Sequence, residues 1–369
     1  VRADGAVKAV WSDKTIALGH VDAGADGTGS ASLPQLGNPG ADPLPDPWHD
    51  LPVSLWGQSN TRAIWQWDDL ANGASAAWTT TVGDSSIKVA VLDSGVSPSH
   101  KELKANLILT DNTIPCNLLT RQFGPGIGQR DCGNEDTDGH GTWVASRIAG
   151  ANNGFASNGI APQVKLMGYK VLSTQLGGGL TTWIVDGMVR ACSLGADLIN
   201  MSLGGYDIPG VDDEDYLLWV EATNYCLAHG TAIIASAGND HVRVNRVNMT
   251  IGAVPLTGVG IVDSGDQGIA SVLPGADLAD SDRRGLLETP AGVPGVIMVS
   301  ATNNENGHVA DAAVPADQQW ATVGKEGARD QLTYYSSYGS RIDIAAPGGA
   351  RKYNIPRTDR KSTRLNSSH

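Results

Sequence analysis

Three residues stand where apolar runs give way to turns, and their types could do chemistry together. Asp93 directly follows the run IKVAVL and precedes Ser94 and Gly95, so its carboxylate sits where a strand leaves a sheet. His140 lies in DTDGHGTWVASRIAG, between two glycines at the start of a helix of small residues. Glycines there allow close backbone approach, and a helix start disfavours a charged imidazole, which keeps the ring neutral and basic. Asn239 closes the run IIASAGN, where a rigidly held side-chain amide can be aimed at negative charge developing on an oxygen. Taken singly, each has an ordinary reading as a turn Asp, a surface or core His, or a capping Asn. Together they are an acid, a base and an amide donor at strand ends, the groups that acyl transfer requires.

Such a constellation needs a scaffold that brings distant strand ends to one edge. Candidate strands are IKVAVL (87–92), VKLMGYKVL (164–172), ADLINMSL (196–203), TAIIASA (231–237), GVIMVSA (295–301) and RIDIAA (341–346). Most are continuous apolar runs, the pattern of a strand buried on both faces. Helix-like stretches at 142–149, 181–194 and 216–228 lie between them. Strand, helix, strand in repetition predicts an α/β fold of three layers, α/β/α, with a mostly parallel sheet and its chemistry at the carboxyl ends of the strands.

Composition narrows the class. The 369 residues are 41% hydrophobic and 18% charged with a formal charge of −13, a globular make-up whose field repels polyanions, so nucleic acid is excluded as a partner. No run reaches the roughly 18 apolar residues of a membrane span. The four cysteines have no CxxC spacing and no His companions, which disfavours a metal centre built on them. Cys116 and Cys132 lie sixteen positions apart in a Gly- and Asn-rich loop, where a bridge would add about 3 kcal/mol; bridged and free remain equal readings. Cys192 and Cys226 fall in apolar helical stretches and read more readily as small buried hydrophobes.

Residues 1–55 are rich in Gly, Pro and Asp, with one strand-like run at 7–11, and read as a remnant plus linker. A Trp-rich arm follows from residue 56 to 78. Residues 240–288 hold Gly- and Asp-rich turns and read as an insertion on the body, a wall or lid over the site or a surface embellishment. The string DRKSTRLNSSH (359–369) matches one frame of a common sequencing-adapter oligonucleotide and is expected to be an artefactual tail. The peptidase-like body is therefore expected at 56–358.

In order along the chain, VAVLDSGV, DGHGTWVA, INMSLGG and ASAGN resemble the segments of subtilisin-like serine proteases, over residues 56–349. The resemblance implies a subtilisin-like fold and a serine endopeptidase acting on extended polypeptides. In that family Asp93 would orient the imidazole, His140 would act as general base and then general acid, and Asn239 would donate to the oxyanion. Ser202, Leu203 and Gly204 would pair with the substrate backbone, Gly178 and Gly179 would belong to the opposing strand, and Ser236, Ala237 and Gly238 would line the pocket for the residue before the scissile bond. Secretion, a zymogen form, and an inhibitory propeptide ending near residues 7–21 are further implications. No cofactor is required. A structural calcium is expected in a loop containing Asn152, Asn153 and Asn158, against the alternative of a simple Asn-Gly turn.

Two departures temper the resemblance. The family's nucleophilic Ser lies in a GTSMA segment, and these 369 residues contain none. Ser336, Ser337 and Ser30 lack a strand-to-helix turn to present them, so this chain is expected to be inactive by itself, as if truncated before its Ser. A non-catalytic pseudoprotease that binds peptides in the same cleft is the alternative. A nucleotide-binding domain is disfavoured because no GxGxxG follows the first strand. Trp143, directly after HGT, is the second departure and is expected to crowd the cleft.

Overall fold

The computed structural model describes residues 15–18, 68–69, 72–117, 121, 131–153, 158–263, 283–302, 332–333 and 335–348. The strand-like run at 7–11 and the tail at 359–369 lie outside these residues.

All six expected strands form: β2 (Lys88–Asp93), β4 (Lys165–Lys170), β6 (Leu198–Met201), β8 (Ala232–Ser236), β12 (Ile297–Thr302) and β13 (Ile344–Pro347). With β3 (Leu107–Asn112) they build a seven-stranded sheet in the order β13-β12-β8-β6-β2-β4-β3, parallel at every pairing. β2 lies inside that sheet, paired with β4 and β6, which is why its run is almost wholly buried.

Helices cover both faces, and the alternation along β2 shows how. Val89 and Val91 pack with Val144, Ala145 and Ala149 of α2 (His140–Ala149). Ala90 and Leu92 pack on the other side with Ile184 and Met188 of α3 (Thr181–Ser193) and the cluster that includes Trp219 of α4 (Asp213–Ala228). The short α1 (Ala74–Ala77) precedes the sheet. This is the three-layer α/β/α arrangement expected, built on a seven-stranded parallel sheet.

Two features were not anticipated. Residues 240–288 contain a long hairpin, β9 (Val244–Ile251) and β10 (Val254–Val262), followed by β11 (Leu287–Thr289). Val244, Ile251, Val259 and Leu287 join the main core, so the hairpin is anchored to the body. These strands belong to a second, antiparallel sheet ordered β5-β1-β7-β11-β10-β9, with β1 at Thr15–Leu18, β5 at Gly178–Leu180 and β7 at Leu203–Asp207. The second feature is in the cysteines: besides the Cys116–Cys132 bridge, one of the two equal readings of that pair, Cys192 is bridged to Cys226. The second bridge corrects the reading of Cys192 and Cys226 as free hydrophobes. Packing of α3 against α4 brings their side chains together, a contact invisible in either helix alone.

Candidate active site

Strand alternation decides which way Asp93 faces. Val89 and Val91 point to α2, so Asp93, two residues on, faces the same helix. His140 is the first residue of that helix. Its Nδ1 lies 2.7 Å from Asp93 Oδ1 and 2.9 Å from Oδ2, with both side chains fully buried. Ser94 N–H donates to the same Oδ1 at 2.7 Å, fixing the carboxylate from its own turn. A carboxylate on Nδ1 holds the proton there and leaves Nε2 as the basic nitrogen.

The helix start is pinned by residues that sequence reading passed over. Asp136 accepts from the N–H groups of Gly139 (2.8 Å) and Thr142 (2.8 Å) and from the hydroxyls of Thr142 (2.6 Å) and Ser94 (2.9 Å). It thereby satisfies donors that a helix N-terminus leaves open. Burial pushes the Asp136 carboxyl up, its hydrogen bonds to Thr142 and Gly139 pull it back, and the Asp93 charge adds to the rise. The signal was present in DTDGHGT as an acid three residues ahead of the glycine that opens the helix. Gly141 is needed for proximity: a Cβ there would run into Gly95 O and come within 2.9 Å of Asp93 Cβ.

Trp143 does not stand as a free ring over the cleft. It is buried with Val89, Val91 and Leu166, its centroid 6.1 Å from that of His140. This corrects the expected crowding: a helix residue three positions beyond His140 turns its ring into the core under the sheet edge.

Asn239 follows β8. On the parallel sheet β8, β6 and β2 are consecutive, so Asn239, Ser202 and Asp93 leave the same carboxyl edge within two strand spacings, roughly 10 Å. Gly238 before it adopts φ +87°, a left-handed turn that suits glycine. Ala237 is buried and ties β8 to β12 through its N–H on Val299 O at 2.8 Å. Ser202 Oγ, between β6 and β7, accepts from Asn200 Nδ2 at 3.1 Å. Ser336 and Ser337 are both buried; Ser336 Oγ donates to Ser337 O and accepts from Ala301 N–H.

Gly178 and Gly179 lie in β5, and Leu203 and Gly204 in β7, but these two strands do not touch each other. Thr15–Leu18 lies between them, antiparallel to both, with Ile16 opposite Gly179, Ala17 opposite both Gly178 and Gly204, and Leu18 opposite Leu203. The chain's own β1 thus fills the gap between the two strand edges.

Comparison with known proteins agrees with this architecture. The model of the subtilase family of peptidases matches residues 84–368. This chain belongs to that family. It is 33% identical over 168 residues to the major intracellular serine protease of Bacillus subtilis, covering 45% of this chain and 47% of that protein. It is 29% identical over 272 residues to subtilisin NAT of Bacillus subtilis subsp. natto, covering 74% of this chain and 49% of that protein. The chain therefore spans about half the length of these curated relatives. Among solved structures, the epidermin leader peptide processing serine protease of Staphylococcus aureus superposes with a TM-score of 0.54 at 23% identity, over 78% of this chain and 58% of that one. Among the described residues of this subtilase, no helix is long and apolar enough to cross a membrane.

Proposed function

We propose that this subtilase domain belongs to a secreted serine endopeptidase that cuts extended polypeptides. Asp93 holds His140, His140 Nε2 takes the proton of a nucleophilic Ser and returns it to the leaving amine, and Asn239 donates to the oxyanion. The Ser is supplied by sequence outside these 369 residues, so the chain alone is inactive. One observation carries this reading: a buried carboxylate–imidazole pair stands at the sheet edge beside a gap that accepts an extended strand from both sides. Main-chain pairing of that kind binds a flexible polypeptide with little sequence selectivity.

The occupant of the gap supports a zymogen, in which Thr15–Leu18 acts as the chain's own inhibitory segment. Secretion is supported by the two bridged cysteine pairs, which persist in oxidising compartments. For calcium, the loop after α2 offers oxygen donors of the kind a hard cation takes. Asn158 is buried and Asn152 and Asn153 are exposed on it, and the Ala151 N–H fastens it to Glu102 O at 2.9 Å. Among the described residues no group of three or more His, Cys, Asp or Glu forms a cage, so these amide and main-chain oxygens would hold the ion. A fall in melting temperature on chelation supports the site, and an unchanged melt removes it.

The activity is tested by expressing the parent protein and this chain side by side against quenched-fluorescent peptides and a serine-directed phosphonate. Cleavage and labelling by the parent alone is the expected result. Labelling of this chain overturns its predicted inactivity, and a parent that binds peptides without cutting them is a pseudoprotease.

A further inference from the structure

The proposed cleft has an acidic floor that the catalytic reading does not use. Glu288 lies at the centre of β11 opposite Tyr206 of β7, the strand that also pairs with β1. Its side chain is 1% exposed. A Cβ added to Gly204 would stand 3.5 Å from Glu288 Oε1, and one added to Gly238 would stand 3.6 Å from the same atom. Gly204 comes from the segment expected to pair with the substrate backbone, and Gly238 from the one expected to line the pocket for the residue before the scissile bond. With glycine at both positions, neither residue places a side chain between its own backbone and the carboxylate.

Among the described residues Glu288 Oε2 has no hydrogen-bond partner, and a buried acceptor left open is costly unless a ligand completes it. A second acid stands beside it. Asp240, next in sequence after Asn239, accepts from the Tyr206 hydroxyl at 2.7 Å and pairs with Arg283 Nη1 at 2.5 Å. The Arg283 guanidinium lies 4.9 Å from the centroid of the Tyr206 ring. One guanidinium is therefore already held against this corner of the molecule, but its close contact is with Asp240; it acts on Glu288 through its charge, and among the described residues Glu288 has no ion pair of its own.

Building on the peptidase reading above, we propose that Glu288 sets specificity and that the substrate residue preceding the cleaved bond is Arg or Lys. A cationic side chain entering between Gly204 and Gly238 would meet Glu288 Oε1 and complete Oε2, whereas an apolar side chain of similar length would leave the carboxyl buried without a partner. Burial, followed by the Asp240 charge, holds the Glu288 carboxyl well above the usual range, while Arg283 and the Tyr206 hydroxyl oppose the rise and Asp207 adds to it. An arriving cation therefore displaces a proton, and the preference for Arg grows as pH rises.

The test uses the parent protein with a peptide series differing only at the residue before the cut. Arg and Lys peptides are expected to exceed Leu and Phe peptides by at least about tenfold in kcat/KM. Glu288→Gln is expected to reduce the Arg-to-Leu ratio by about tenfold or more and to flatten its pH dependence, with Glu288→Asp retaining part of both. The ratio is internal to each variant, so a partly unfolded preparation does not imitate the effect. Leu or Phe cleaved as well as Arg, or a ratio unmoved by Glu288→Gln, overturns the inference and leaves the peptidase reading intact. Failure to cleave any peptide in the series overturns both.

Discussion

Asp93 grips His140 through both carboxylate oxygens, at 2.7 and 2.9 Å from Nδ1, in a site from which the side chains of both are fully excluded from solvent. A bond of that kind fixes a tautomer as well as a position. Replacing Asp93 by Asn in the parent protein preserves the shape but offers an amide to Nδ1. The expected result is a loss of about 10⁴-fold in kcat, the scale known for this change in serine-protease triads, with the melting temperature nearly unchanged. Steady-state kinetics with one peptide and a thermal melt check both halves.

Gly141 permits that bond by letting the helix start lie against β2. In Gly141→Ala the new methyl meets Gly95 O and Asp93 Cβ, backbone and a buried side chain that cannot swing away. The expected outcome is a destabilisation of about 1–3 kcal/mol by denaturant titration. Parent activity should fall by more than that loss of folded protein explains, because the displacement acts directly on the Asp93–His140 pair.

Thr15–Leu18 can be removed from its gap by a single change. Ala17 is flanked on both sides, by Gly178 and Gly204, so Ala17→Pro cannot satisfy a ladder there. On this chain the variant is expected to bind a fluorescent extended peptide about tenfold more tightly than the unaltered chain by anisotropy, since the competing occupant is lost. Equal affinity in the two proteins would show that β1 does not compete.

Lys170 and Asp131 form a buried ion pair at 3.0 Å, with Ser173 and Thr137 hydroxyls also on the carboxylate. Lys170→Met leaves Asp131 buried without its cation and is expected to cost about 3–5 kcal/mol. Burial pushes Asp131 up, but the hydrogen bonds from Ser173 and Lys170 and the Lys170 charge prevail and hold it below its ordinary value of 3.8. A depressed native carboxylate contributes stability above its unfolded value, and that contribution disappears as pH falls through the native one. Asp131→Asn should therefore flatten the stability curve below about pH 4 relative to the unaltered protein.

The Cys192–Cys226 bridge closes a separation of 34 residues between two helices. Replacing both by Ala is expected to lower stability by about 3–4 kcal/mol on the loop-entropy scale. Denaturant curves with and without reductant test it, since the double variant should respond less to reductant than the unaltered chain.

What could be read from residues alone follows their surroundings. β2, β6 and β8 were legible because a strand covered on both faces must be apolar throughout, and Asp93 was legible because a charge ending such a run is conspicuous. In the hairpin β9–β10, the residues between buried Val244 and Ile251 alternate between partly buried and exposed and the first half of β10 is largely exposed, so its apolar content is diluted by Asn, Arg and Thr and reads as turns. β3 lies at the sheet edge with only partial burial and escaped for the same reason. Helix α2 begins at His140, ahead of the expected residue 142, because Asp136 caps it from outside the apolar pattern. Glu288 was missed because a lone acid in LLETP has no local partner to announce it. Its meaning depends on Gly204 and Gly238, more than forty positions away.

Ala17 sits opposite residues of the same polypeptide, and that tether has a consequence for how the groove can be opened. A segment carried on its own chain keeps its local concentration however far the solution is diluted. Lowering protein concentration will not free the groove. A competing polypeptide must exceed that local concentration, or a cut must first release residues 15–18.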